Sequence, residues 1–204
     1  DRQLYNSLIS SKDKPLVNRV IQGKYPPGST IKPFLGLIAL ENGIKNTKQE
    51  VWCPGWFSLQ GHEHRYRDWK KEGHGHTALD KAIIQSCDVF FYNLAYELGI
   101  DRIYKGLSRF GFGQISGIDI NGESAALLPS REWKKNNMKE AWFPGETVIL
   151  GIGQGYALTT PIQLVKATSV IANNGLLIKP RLVLGINSPG EEGLSIISGS
   201  IESK

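Results

Sequence analysis

No apolar run in this sequence suggests a membrane span: the segment from Phe34 to Leu40 is too short and runs straight into Glu41. A secretory signal pattern is also missing. The chain opens at Asp1 rather than Met, inside polar sequence. It therefore reads as a piece of a longer protein, and the lack of targeting signals says little about location. There is no internal repeat. Cysteine is confined to Cys53 and Cys87. A concentrated basic tract is lacking as well. The formal net charge is +5, but Lys and Arg are scattered, and the one dense run, Arg65 to Lys71, also holds Asp68. That pattern does not point to nucleic acid. It fits a protein that meets anionic polymers or lipid surfaces, and equally a plain solvated surface.

What is present is ordinary globular composition: 204 residues, 40% hydrophobic and 21% charged. This suits one large domain with a sizeable core, and it argues against disorder over most of the length. Residues 1–23 are a polar lead-in, with a short helix or strand expected over 17–21. Tyr25-Pro26-Pro27-Gly28 is a loop, and Thr30 to Leu40 suits a helix ended by Asn42-Gly43. Residues 44–77 are rich in Trp, Gly and His and read as a long irregular excursion, the kind that is usually functional. Further helices are expected over 77–85 with Thr77 as N-cap, over 88–98 closed by Gly99, and over 101–110. Residues 112–132 read as loop with short strands. Thr160 caps another helix, with Pro161 at its first position, running to about Ala172. Asn174-Gly175 is a turn, followed by strand-like 176–184 interrupted by Pro180. The Gly- and Ser-rich residues 187–204 are expected to form a mobile tail.

Ser29 and Lys32 stand three apart. On a helix that spacing puts both on one face, about 5–6 Å apart at Cβ. A serine hydroxyl needs a base to take its proton before it becomes a good nucleophile, and helix N-terminal N–H groups are placed to steady an oxyanion. By itself Ser-x-x-Lys recurs by chance and reads as readily as an N-cap with a surface lysine. The surrounding Pro-Pro-Gly-Ser-Thr-x-Lys-Pro is a much rarer string.

Residues Tyr25 to Phe34 resemble the active-site serine motif of the penicillin-binding transpeptidases. Ser86-Cys87-Asp88 is similar to the family's second motif, Ser-x-Asn. Gly153-Gln154-Gly155 and Thr160-Pro161-Ile162-Gln163 match its Gly-Gln-Gly and Thr-Pro-x-Gln signature. Arg65 to Lys71 and Arg131-Glu132-Trp133-Lys134 resemble the class B, elongation-type branch, penicillin-binding protein 2. The likeness runs from about residue 20 to 185 with its motifs in order.

The resemblance implies an α+β fold of the penicillin-binding and serine β-lactamase type, with helices on an antiparallel sheet and the serine at a helix start. Residues 1–204 would be a transpeptidase domain incomplete on its C-terminal side. It implies an enzyme: Ser29 attacks the D-Ala-D-Ala end of a peptidoglycan stem peptide and forms an acyl-enzyme that a neighbouring stem amine resolves. Lys32 would take the Ser29 proton, Ser86 would pass one toward the leaving amine, and Asp88 would hydrogen-bond substrate or Lys32. The Ser29 N–H would supply half of the oxyanion hole, and Gly153, Gln154 and Gly155 would bind substrate. β-Lactams would acylate the same serine. Implied partners are elongation-machinery membrane proteins, including a glycosyltransferase. The implied location is the periplasmic face of the bacterial inner membrane, held by an N-terminal helix outside this chain.

Two departures stand out. Asp88 occupies the place of an Asn and brings negative charge beside Lys32. No Lys-Ser/Thr-Gly triplet, the third motif, follows Gly185. In the family that strand binds the substrate carboxylate and completes the oxyanion hole, so residues 1–204 alone are expected to have little transpeptidase activity.

All four histidines, His62, His64, His74 and His76, fall within residues 62–76, between the two cysteines. Zinc takes S, N and O ligands in tetrahedral sets. Some relatives of penicillin-binding protein 2 bind zinc in this loop, and the matching positions are Cys53, Asp68, His74 and Cys87, with Cys53 where relatives carry Asp. The implied site is structural, and it would fix the second motif through Cys87. A Cys53–Cys87 disulfide and two unpaired buried thiols are the other readings. For the whole chain the rivals are a β-lactamase or β-lactam sensor, for which Glu132 and Glu146 qualify as general base by type only, and a non-catalytic zinc-stabilised binding module.

Overall fold

The computed structural model describes residues 1–187, 195–197, 199 and 201–203. In chain order its elements are α1 (Arg2–Ser10), α2 (Arg19–Gln22), α3 (Lys32–Glu41), β1 (Val51–Cys53), β2 (Trp56–Phe57), β3 (Tyr66–Arg67), β4 (Gly75–Thr77), α4 (Leu79–Ile84) and α5 (Asp88–Arg109). There follow α6 (Arg131–Met138), α7 (Pro144–Leu150), α8 (Pro161–Ala172), β5 (Leu177–Ile178), β6 (Gly185–Ile186), β7 (Ser195–Ile196) and β8 (Ile201–Ser203). The class is α+β, as expected, and the described strands pair antiparallel, two by two. No helix among the described residues is long and apolar enough to cross a membrane.

The chain divides into two compact units. One is formed by Pro26–Arg109 and Leu127–Leu158. Its core is α5, against which α3 and α7 pack. Helix α3 is apolar on most faces and buries Phe34, Leu35, Ile38 and Ala39. From α5 come Phe90, Phe91, Leu94, Leu98, Ile103 and Leu107, and from α7 Val148 and Leu150. A Cβ on Gly106 would lie 2.5 Å from the Ile38 side chain, so α3 and α5 touch at that glycine. Helix α5 is interrupted at Gly99 (φ 73°, ψ 157°), which matches the expectation of two helices separated there. Residues 44–77, expected to be irregular, contain two short ribbons. β1 pairs with β4 through Val51↔Thr77, Trp52↔His76 and Cys53↔Gly75, and β2 pairs with β3 through Trp56↔Arg67 and Phe57↔Tyr66. Thr77 is not the cap expected of it. It ends β4, its hydroxyl donates to the Gly75 carbonyl, and Ala78 stands at the start of α4.

The other unit comprises Asp1–Tyr25, Phe110–Ala126 and Thr159–Lys204. The polar lead-in holds a helix the sequence pattern did not reveal, α1, whose first turn is capped by the Asp1 side chain and which buries nothing. The short element expected over 17–21 is the helix α2, and it packs on α8. Helix α8 begins as expected: the Thr160 hydroxyl accepts from Gln163 N and the Gln163 side chain accepts from Thr160 N. The Thr-Pro-x-Gln string is thus a capping box. Of the strand-like 176–184 segment only β5 is strand, pairing with β8; β6 begins just after it, at Gly185, and pairs with β7. Much of the expected tail 187–204 lies outside the described residues, and its described part holds β7 and β8.

Candidate active site

Gly28–Ile31 forms a 3-10 turn, and Ser29 stands exposed upon it. The helix proper starts at Lys32, three residues later than the nucleophile, with Pro33 in its first turn, where a missing N–H costs nothing. The turn is held from behind. Gly28 N–H donates to the Gly153 carbonyl at 2.9 Å. Gly153 has φ 67°, and a Cβ there would fall 2.2 Å from the Gly28 carbonyl oxygen. Only glycine permits both the conformation and the approach. The Gly28–Ser29 peptide, which carries the Ser29 N–H, therefore rests on Gly153. Gln154 and Gly155 are exposed beyond it.

Lys32 is 2% exposed. Its ammonium donates to the Ser86 carbonyl (2.9 Å), Ser86 Oγ (3.0 Å) and Asp88 Oδ1 (2.6 Å), and lies 5.4 Å from the centre of the Phe91 ring. All three of its donors are used, which offsets the loss of hydration. Asp88 opens α5, where the helix dipole favours a carboxylate, and its Oδ2 accepts from Trp69 N at 3.2 Å. Ser86 Oγ in turn lies 3.0 Å from Ser29 Oγ. Among the described residues Lys32 makes no hydrogen bond to Ser29, so the two sides of the expected pair meet through the Ser86 hydroxyl. Ser86 has φ 52°. A non-glycine residue there stores on the order of 1–3 kcal/mol that its surroundings must over-determine.

Beside this line lies a buried cluster. Cys53 ends β1, Asp68 follows β3, His74 precedes β4, and Cys87 lies between Ser86 and Asp88. One ligand atom from each falls within 4.8 Å of all the others. Cys53 Sγ is 3.5 Å from His74 Nδ1, and Asp68 Oδ2 is 3.6 Å from Cys53 Sγ, Cys87 Sγ and His74 Nδ1. Both cysteines are free rather than bonded to each other. Burial pushes the Cys87 thiol well above its ordinary value, against the pull of the Phe90 N–H that donates to its sulfur. His62 and His64 are exposed, and His76 sits on the outer side of β4 with Glu50 at 3.3 Å.

The structure adds Trp69, which the sequence placed only within the Trp-rich segment 44–77 and the stretch Arg65 to Lys71. Its indole N–H donates to the Gln85 and Ser86 carbonyls, both at 3.2 Å, and its ring meets that of His74 edge-on at 5.5 Å. Spacing carries no signal for such a contact. Of the two glutamates named as possible bases, Glu146 is bound to the Lys134 ammonium and accepts from Phe143 N, and Glu132 lies exposed on α6.

Residues 2–202 match the penicillin binding protein transpeptidase domain family. The peptidoglycan D,D-transpeptidase MrdA of Escherichia coli strain K12 is 42% identical over 188 residues, covering 92% of this chain but only 30% of that protein. A solved structure of Pseudomonas aeruginosa PBP2 in complex with WCK 5153 superposes with TM-score 0.86 at 48% identity, over 89% of this chain and 40% of that one. The complex between PBP2 and MreC from Helicobacter pylori gives TM-score 0.85 at 34% identity, over 96% and 36%.

Proposed function

This chain belongs to the penicillin-binding protein transpeptidase family, and from that premise we propose that it forms the acyl-enzyme of an elongation-type peptidoglycan D,D-transpeptidase. The observation that carries the reading is the unbroken line Lys32 Nζ, Ser86 Oγ, Ser29 Oγ, each step 3.0 Å. Ser29 Oγ attacks the carbonyl carbon of the penultimate D-Ala, and an ester bond forms. The Ser29 hydroxyl proton passes to Ser86 Oγ as Ser86 gives up its own proton for the departing amine, while the Lys32 ammonium, its three donors engaged, steadies the Ser86 oxygen through the exchange. The amide C–N bond breaks, and the departing D-Ala amine takes up a proton along the same line. A second stem amine then attacks the ester, a new amide forms, and Ser29 regains its proton. The Ser29 N–H, fixed by the Gly28–Gly153 contact, faces the developing oxyanion. In this reading Gly153 supports the nucleophile's turn, while Gln154 and Gly155 face substrate. Asp88 holds the ammonium of Lys32 rather than substrate.

The second part of the reading is a structural zinc on Cys53, Asp68, His74 and Cys87. Zinc bonds of about 2.0–2.3 Å in a tetrahedron imply ligand–ligand edges of about 3.3–3.8 Å. The four contacts at 3.5–3.6 Å fit that frame. A bound ion would stabilise the thiolates that burial disfavours and tie residues 44–77 to the second motif. The reading includes elongation-machinery membrane proteins as partners, with a glycosyltransferase among them, and a place on the periplasmic face of the inner membrane, through an anchor outside this chain.

Fluorescent penicillin, followed by mass mapping of the labelled peptide, tests the first part. A stable adduct on Ser29, lost in Ser29→Ala, is expected. Steady turnover of the penicillin would instead indicate a β-lactamase, and no adduct on Ser29 would indicate a binding module. Elemental analysis after purification without chelator tests the second: about one zinc per chain is expected, with a lower melting midpoint after chelation. Metal-free protein with oxidised thiols would refute it.

A further inference from the structure

Ser86 is held in a backbone conformation it does not favour, φ 52°, yet its hydroxyl must stay between two partners. Something has to hold its peptide in place. The Ser86 carbonyl accepts from two donors, Lys32 Nζ at 2.9 Å and Trp69 Nε1 at 3.2 Å. The same indole N–H reaches the Gln85 carbonyl at 3.2 Å. Both carbonyls lie at the C-terminal end of α4, where helix carbonyls have no partner of their own. The indole therefore acts as a side-chain cap on that end. Trp69 is itself fixed from two further directions: its backbone N–H donates to Asp88 Oδ2, and its ring stands edge-on to His74. The side chain nevertheless remains largely open to solvent, with Trp69 64% exposed. Core packing does not account for an indole so placed; its hydrogen bonds do.

We propose that Trp69 is a positioning residue for the second motif, whose indole N–H clamps the left-handed Ser86 peptide so that Ser86 Oγ stays between Lys32 and Ser29. The proposal rests on the transpeptidase reading of those three residues. It assigns Trp69 no contact with the reacting atoms. What the clamp sets is the fraction of molecules whose proton line is assembled when a substrate arrives, so it bears on acylation and not on capture.

Three replacements test it: Trp69→Phe, Trp69→Leu, and an isosteric replacement of Trp69 by 3-benzothienylalanine, which keeps the ring shape and lacks the N–H. Penicillin adduct formation on Ser29 is followed over a range of penicillin concentrations, which separates reversible capture from the acylation step. All three are expected to slow acylation by about tenfold, with capture and melting midpoint unchanged. Acylation at the parent rate with Phe or benzothienylalanine overturns the clamp. So does a loss confined to Leu and to capture, which would make the ring a contact surface only. A crystal structure of Trp69→Phe gives a reading independent of activity. Ser86 is expected to leave the positive-φ region, and its persistence there with Oγ still bridging overturns the proposal. If the parent chain forms no Ser29 adduct at all, the transpeptidase reading fails, and that crystal structure alone decides the clamp.

Discussion

The Lys32 ammonium donates to three oxygens, two of them on Ser86 and the third on Asp88, and this explains why a carboxylate suits position 88. A neutral amide there would leave a buried cation with no counter-charge. The sequence signalled Ser29 and Lys32 by spacing and Ser86 by likeness. It could not show that Ser86 stands between the other two, because that contact joins residues 57 apart and is made by the fold. Nor could it separate Gly153 from Gly155, two left-handed glycines two residues apart (φ 67° and 78°). The structure separates them. A Cβ on Gly153 would strike the Gly28 carbonyl, whereas one on Gly155 would meet only Ile149 at 3.4 Å. Both alanine substitutions carry the backbone cost of positive φ, on the order of 1–3 kcal/mol. Only Gly153→Ala displaces the peptide bearing the Ser29 N–H. Penicillin acylation is therefore expected to fall about tenfold or more in Gly153→Ala and by clearly less in Gly155→Ala, whose methyl meets only Ile149. Equal losses at matched folded fraction would remove the special role of Gly153.

Helices with chemical punctuation were legible. Thr160, Pro161 and Gln163 announced the start of α8, and Gly99 announced the break in α5. Elements without an apolar period were not. Helix α6 buries Lys134 and no apolar residue, and α1 buries nothing. Strands β1 to β4 are two or three residues long, too short for alternation to register. The four residues of the buried cluster were found through likeness to relatives, since ligands drawn from a strand end, two loops and a helix edge have no fixed spacing. Gln163 shows how an element's signature and its stability coincide. It is 1% exposed, its Oε1 accepts from Thr159 Oγ1 and Thr160 N, and its Nε2 donates to the Gln114 and Ala125 carbonyls. Gln163→Glu keeps the shape and the accepting oxygen but turns the donor into an acceptor facing two carbonyls. Each acceptor left unpaired costs roughly 1–3 kcal/mol. Urea unfolding should show a loss of that order, larger than for Thr160→Ala, which removes a cap worth about 1 kcal/mol. A smaller loss for Glu would mean that water reaches the site.

On the scale of the whole molecule, the chain spans 30% of the length of the Escherichia coli relative and holds two of the three expected motifs. Those two lie in one compact unit, Pro26–Arg109 with Leu127–Leu158, so the proton line forms without a Lys-Ser/Thr-Gly strand. Two substrates should then separate in what they require. A β-lactam releases ring strain when its amide opens, and its leaving nitrogen stays tethered, so an assembled nucleophile suffices for slow acylation. A stem peptide carries an unstrained amide and a free carboxylate. Its reaction depends on binding energy spent to hold that carboxylate and align the carbonyl with the oxyanion donors. Residues 1–204 by themselves are therefore expected to accumulate a penicillin adduct on Ser29 while giving no measurable cross-linking of stem peptides. Parallel assays on one preparation check this: adduct mass against time with penicillin, and dimer formation with a D-Ala-D-Ala stem peptide and an amine acceptor. Cross-linking at a rate comparable with penicillin acylation would show that the carboxylate is held by residues of this chain, and the basic side chains of the Ser29-bearing unit would become the place to look for them.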